Sequence, residues 1–91
     1  MMTGQFTTYD GSRLFFRKWL PREPSGRVIC LLHRGHEHSG RLEHIATHPD
    51  LAEYTIYAYD YRGHGQSPAP ATGEFMDLVR DLDAFVRFVC E

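Results

Sequence analysis

Three histidines fall within six residues in the stretch HRGHEHSGR, at His33, His36 and His38. Imidazoles at that density can hold a metal, take part in catalysis, or simply hydrogen-bond the turns of a polar loop. Neutral imidazole is the commonest zinc ligand, but the zinc-motif spacings fail here. H-E-x-x-H would need a histidine at position 40, where Gly40 stands, and H-x-x-E-H would need one at 34, where Arg34 stands. Arg34 would also repel a cation. A second suggestive stretch, GHGQSPA, holds Ser67 and approaches the nucleophile pattern G-x-S-x-G. It misses: Ala69 replaces the second glycine, and Pro68 offers no N–H to an oxyanion. Ser67 therefore reads as a turn-closing residue, with Asp60 and Arg62 bracing the same loop through a salt bridge or backbone hydrogen bonds.

The elements that must position these loops follow from the apolar pattern. Gln5–Tyr9 and Arg13–Leu20 flank Asp10-Gly11, the signal of a two-residue hairpin. The second arm is apolar on both faces, as for a strand covered on both sides. VICLL, Val28–Leu32, is a continuous branched run of the kind buried in parallel sheets. Gly40 to Glu53 predicts a short helix with Leu42, Ile45 and Ala46 on one side, ended or kinked by Pro49. Thr55–Tyr61 predicts a second inner strand. Phe75, Leu78, Val79, Leu82, Phe85, Val86 and Val89 then recur at helical spacing. Hairpin, strand, helix, strand, helix predicts an α/β fold with a parallel crossover. The two polar loops follow Leu32 and Asp60, at the carboxyl ends of the inner strands, where such sheets carry their chemistry.

The totals bound the remainder. Ninety-one residues suit one small domain. Ten basic against twelve acidic side chains leave no basic face for nucleic acid. No apolar run reaches the ~20 residues of a membrane span, and the opening MMTGQFTTYDGSR has no signal-peptide pattern. Cys30 and Cys90 lack metal-type spacing and read as reduced thiols, so the expected location is cytoplasmic.

VICLLHRGHEHSGRLEHIA resembles the segment after the third strand in α/β hydrolases of the monoglyceride lipase and lysophospholipase group, which includes serine aminopeptidase-like proteins. There the strand is followed by H-G-x-G-E-H-S-G-R-Y. YAYDYRGHGQSP is similar to that group's D-x-R-G-H-G-x-S, DGSRLFFRKWLP to its entry hairpin, and FMDLVRDLDAFV to its helix before the nucleophile strand. The likeness runs nearly the whole chain, in order and at the expected spacing. It implies the N-terminal part of an α/β-hydrolase sheet, an incomplete three-layer sandwich, with residues 1–91 as a single truncated segment. It also implies a role for each loop residue. Gly35 would offer a backbone N–H to the oxyanion of ester hydrolysis, worth roughly 3–4 kcal/mol per donor. Arg34 and His36 would face substrate, and His33 would anchor the loop. His38, Ser39 and Arg41 would shape the mouth and the next helix. One departure stands out: the group has glycine on both sides of the donor, whereas this chain has Arg34 and His36.

No G-x-S-x-G occurs up to Glu91, so the chain offers no triad acid or histidine placed after a nucleophile. The expectation is therefore the first third of a serine hydrolase acting on carboxylic esters or lipids, inactive alone, with no cofactor and no metal. Two other functions fit the same residues. One is a non-catalytic module that self-associates, as a homo-oligomer, through an unpaired Val28–Leu32 strand edge. The other is a small metal-binding protein built on the histidine cluster.

Overall fold

The computed structural model describes residues 1–33, 37–71 and 74–90. Strands β1 (Met2–Thr7) and β2 (Arg13–Trp19) form the entry hairpin, followed by β3 (Arg27–Leu32) and β4 (Tyr54–Tyr59). Helix α1 (Glu43–Ala46) lies between β3 and β4, and helix α2 (Phe75–Cys90) closes the described chain. The sheet order is β1-β2-β4-β3. β2 pairs antiparallel with β1 and β4, and β3 pairs parallel with β4 in the register Leu32↔Tyr59.

Alternation along the strands sends successive side chains to opposite faces. On one face Phe6, Leu14 and Tyr59 pack with Phe85 of α2, the Phe85 ring 4.5 Å from Tyr59 and 4.9 Å from Phe6. On the other, Trp19, Ile56 and Ala58 pack with Ala46, and Leu42 and Leu51 lie against them. Helical segments thus cover both faces of the sheet, which is the three-layer α/β arrangement expected. β2 contributes to both clusters, as its two apolar faces require.

Three expectations are corrected in detail. The hairpin is not a two-residue turn: strand pairing ends at Thr7↔Arg13, and Thr8 N–H then donates to Ser12 O at 2.8 Å. Gly11, at φ 82°, takes the left-handed position that ends the longer loop. That geometry turns the Asp10 carboxylate inward, where it accepts from Thr8 Oγ1 at 2.6 Å and Ser12 N at 3.1 Å.

The helix expected over 40–53 is broken into a 3₁₀ turn at Ser39–Leu42, the single α turn of α1, and a second 3₁₀ turn at Pro49–Leu51. Two histidines cap the 3₁₀ turns: His38 Nδ1 accepts from Gly40 N, and His48 Nδ1 from Asp50 N, each at 3.1 Å. Ile45 is left exposed, apart from Leu42 and Ala46.

The second inner strand stops at Tyr59, two residues short of the expected end. Asp60 and Tyr61 leave the ladder to join the site loops. On α2 the apolar arc is wider than the surface available to it. Leu82, Phe85 and Val89 pack, while Phe75, Val79 and Val86 remain exposed.

Phe85 is fully buried and touches rings from three strands. Phe85→Ala should lower stability by about 3–5 kcal/mol, a large share of the roughly 5–15 kcal/mol of a typical domain. Urea denaturation followed by circular dichroism should show the midpoint collapsing towards zero denaturant.

Candidate functional site

The two parallel strands end side by side, and the chain leaving each one is pinned to the other. His33, 3% exposed, directly follows β3, and its Nε2 accepts the Tyr61 backbone N–H at 3.0 Å. An Nε2 that accepts carries no proton, so the ring is held as the Nδ1–H tautomer. The imidazole also lies against the Tyr61 ring, centroids 3.8 Å apart, with the His64 ring at 5.4 Å. His33 is thus a strut between the two strand ends.

Asp60 is the second pin. It is completely buried at the end of β4, with its N–H donating to Phe15 O at 2.8 Å. Its Oδ1 accepts from Ser39 N at 2.6 Å and its Oδ2 from Gln66 N at 2.8 Å. One carboxylate therefore joins the segment entering the 3₁₀ turn at Ser39 to the loop after β4. Gly65, at φ 50°, has no room for a side chain: a Cβ there would fall 2.7 Å from His38 Cβ and inside the Asp60 carboxylate. Ser39 is fully buried, and its Oγ accepts from Arg17 Nε at 3.0 Å.

Ser67 Oγ donates to Asp60 O at 2.5 Å and accepts from Phe15 N at 2.9 Å. Both partners are backbone groups and neither is a base, so this hydroxyl closes a turn against β2.

Arg62 does not pair with Asp60. Its Nε donates to Asp81 Oδ2 at 2.6 Å, and its Nη2 to Asp81 Oδ1 at 2.8 Å and Asp10 Oδ1 at 2.9 Å. Thr8 Oγ1 accepts from Nη2 at 3.1 Å; Nη1 reaches Asp10 Oδ2 at 3.0 Å and Ser12 Oγ at 3.2 Å. Asp81 lies inside α2 at 1% exposure. The guanidinium thus ties the hairpin loop, the loop after β4 and α2 to one point. Hydrogen bonds from Arg62, Thr8 and Ser12 hold the Asp10 carboxyl far below the usual carboxylate range, and Asp81 followed by Asp10 raises the Arg62 guanidinium. The Tyr9 hydroxyl donates to Asp77 Oδ1 at 2.5 Å, which raises its pKa.

Between these pins and α2 lies an apolar cleft of about 280 Å³, with Leu32, Tyr61, Phe75 and Val79 on its walls. Gly35, the expected oxyanion donor, and Arg34 and His36, the residues expected to face substrate, lie outside the described residues. Of the other expected loop residues, His33, Ser39, Asp60 and Ser67 converge on the β3–β4 exit. His38 caps the adjoining turn, and Arg62 lies on the hairpin side. Among the described residues no three His, Cys, Asp or Glu side chains are disposed to hold a metal ion, and no helix is long and apolar enough to cross a membrane. Asp10 and Asp81 escaped the sequence reading, although an acidic residue at an apolar helix position beside Leu82 was a visible signal.

Comparison with known proteins bears on these loops. Residues 23–91 match the family profile described as serine aminopeptidase, S33. The chain is 46% identical over 86 residues to the protein YnbC of Escherichia coli (strain K12), covering 91% of this chain and 15% of that one. It is 39% identical over 82 residues to the monoglyceride lipase of Homo sapiens, covering 90% of this chain and 25% of that one. The solved structure of an esterase from Exiguobacterium antarcticum superposes with a TM-score of 0.81 at 24% identity, over 98% of this chain and 32% of its own. The chain therefore spans about a quarter or less of these two curated relatives.

The low Asp10 pKa makes stability depend on acid in a defined sense. The unfolded carboxyl titrates near about 3.9 and the folded one well below it, so the Asp10 contribution is complete above that value and lost as pH falls further. Melting temperature should drop more steeply for the parent chain than for Asp10→Asn below about pH 4, the two curves converging in acid. Parallel curves would show that the carboxylate charge is not what the hairpin loop contributes.

Proposed function

Since the chain belongs to the serine aminopeptidase (S33) family of α/β hydrolases, we propose that it forms one wall of the active site of a serine hydrolase for carboxylic esters or lipids. Catalysis would proceed by acyl transfer to a serine lying outside these residues. The Gly35 N–H would stabilise the oxyanion when that serine adds to the carbonyl, and Arg34 and His36 would face the substrate. The observation that carries this reading is the double pin at the strand ends. His33 and Asp60 fix both flanks of the 34–36 segment to the loop after β4, and a preorganised donor needs such fixed flanks. Monoglyceride lipases among the relatives favour a glyceryl ester as the substrate class.

A chimera tests this directly. Residues 1–90 replace the matched segment of the human monoglyceride lipase, and p-nitrophenyl butyrate turnover is measured. The chimera should be active, and Gly35→Pro, which deletes the N–H, should lower kcat by about 10²–10³, while Gly35→Ala keeps most of it. The 91-residue chain alone should neither turn over the ester nor take a fluorophosphonate label. Labelling of the chain at Ser67 or Ser39, or a Gly35→Pro chimera as fast as its parent, would overturn the assignment.

A second property rests on β3. Among the described residues it pairs only with β4, and Val28 and Leu32 are 48% and 46% exposed along it. We propose that copies of the chain associate through this open edge. Light scattering after size exclusion should report a dimer or larger species at micromolar concentration, and Val28→Lys with Leu32→Lys should return it to monomer. A sharp monomer peak for the parent chain would dispose of this association.

A further inference from the structure

His33 carries a titratable ring at a place where it cannot take a proton and keep its bond. The Nε2 accepts the Tyr61 backbone N–H at 3.0 Å, and the residue is 3% exposed. An imidazolium donates from both nitrogens and accepts at neither. A proton on Nε2 therefore sets one N–H against another in a buried site, where an unmet donor is penalised. The amide cannot turn away, because the chain on its N-terminal side is fixed. Asp60 N donates to Phe15 O at 2.8 Å, and the Asp60 carboxylate holds Ser39 N and Gln66 N.

The groups packed around the ring sharpen the constraint. The Tyr61 ring lies against the imidazole with centroids 3.8 Å apart, and burial pushes the Tyr61 hydroxyl up, so that ring stays uncharged. The His64 ring is 5.4 Å away. Its Nδ1 is 2.8 Å from the Arg62 carbonyl, which only accepts, so this nitrogen holds a proton and Nε2 is the one that titrates. A charge gained by His64 would repel one on His33. Asp60 is engaged by the two backbone N–H groups, Asp81 by Arg62, and His38 Nδ1 by Gly40 N. In sequence the loop also brings Arg34, His36 and Glu37, of which the first two lie outside the described residues.

We propose that His33 is an acid-sensitive latch: one proton taken from solvent on its Nε2 releases the Tyr61 N–H and frees the β3 exit from the β4 exit. Protonation and release are a single event, because the proton occupies the lone pair that made the bond. The open form takes its proton near the ordinary histidine value of about 6.5, and the closed form does not. The latch is therefore fully closed above that value and gives way as pH falls below it, opening gaining about tenfold per unit. This window lies above the one in which Asp10 acts, below about pH 4. The consequence for catalysis rests on the hydrolase reading, since the flank released is the one leading to Gly35, but the latch itself does not.

Amide hydrogen exchange on the intact chain reads the latch at one atom. Protection of the Tyr61 N–H, corrected for the intrinsic pH dependence of exchange, should be constant above about pH 7 and fall about tenfold per unit below about pH 6.5. The Asp60 N–H, one residue away and held by Phe15 O, should keep its protection over the same range, which separates local release from unfolding of the chain. His33→Gln supplies a carbonyl acceptor that takes no proton, and should make Tyr61 protection independent of pH. Tyr61 protection that ignores pH in the parent chain, or Tyr61 and Asp60 losing protection together, would overturn the latch. Both comparisons are made on the parent chain, so they decide the matter even where His33→Gln does not fold. An inactive chimera alongside a pH-dependent Tyr61 amide would remove the hydrolase reading and leave the latch in place.

Discussion

The Arg62 guanidinium is the point on which the rest of the structure turns. Asp10 and Asp81 take both its terminal nitrogens and its Nε, and Thr8 and Ser12 complete the set. A buried arginine with fewer partners would be strongly destabilising, because desolvation of the charge outweighs a single ion pair. Here the planar fork meets one carboxylate edge-on from α2 and a second from the hairpin loop, a geometry that lysine's single ammonium cannot reproduce. Two carboxylates against one cation leave an excess negative charge. It is tolerable because Asp10 is partly exposed, its side chain at 39%, while Asp81 is sealed. The solvated partner carries the surplus and the buried one is neutralised.

That arrangement explains why α2 lies where it does. Its apolar arc alone permits several rotations about the helix axis, since Phe75, Val79 and Val86 are as apolar as the residues that pack. Asp81 removes the freedom. Only one rotation brings the carboxylate onto Arg62, and in that rotation Leu82, Phe85 and Val89 meet the sheet. A polar contact selects among packings that hydrophobicity alone leaves nearly equal, a role for buried ionic groups that is well attested where register must be chosen.

The broad architecture was legible in the sequence because each element repeats one signal many times. VICLL and TIYAY are short branched runs, and residues 75–89 keep helical period over four turns. Such signals survive local exceptions. The misjudged places are those where one side chain outweighs propensity. Asp10-Gly11 reads as a tight turn, but the Asp10 carboxylate has a stronger partner in Arg62 than any two-residue hairpin offers, so the loop lengthens. The 40–53 segment has helical spacing, yet His38 and His48 cap 3₁₀ turns through their own ring nitrogens and Pro49 withholds an N–H. Asp60 and Arg62, two residues apart, look like a pair. Strand geometry points neighbours of even spacing to one side only while the ladder continues, and it stops at Tyr59.

The two carboxylates near the β4 exit show why that stop matters. Asp81 is matched to a cation, whereas Asp60, equally buried, is matched to the backbone N–H groups of Ser39 and Gln66. Backbone donors belong to the chain path itself, so the Asp60 carboxylate fixes where two loops run. His33 does the same through the Tyr61 N–H. The pins therefore sit at 33 and 39, on either side of the positions where Arg34 and His36 replace the glycines of the resembled hydrolases. Gly65, wedged against the Asp60 carboxylate and His38 Cβ, belongs to the same scaffold, since any side chain there would displace the carboxylate that holds both loops.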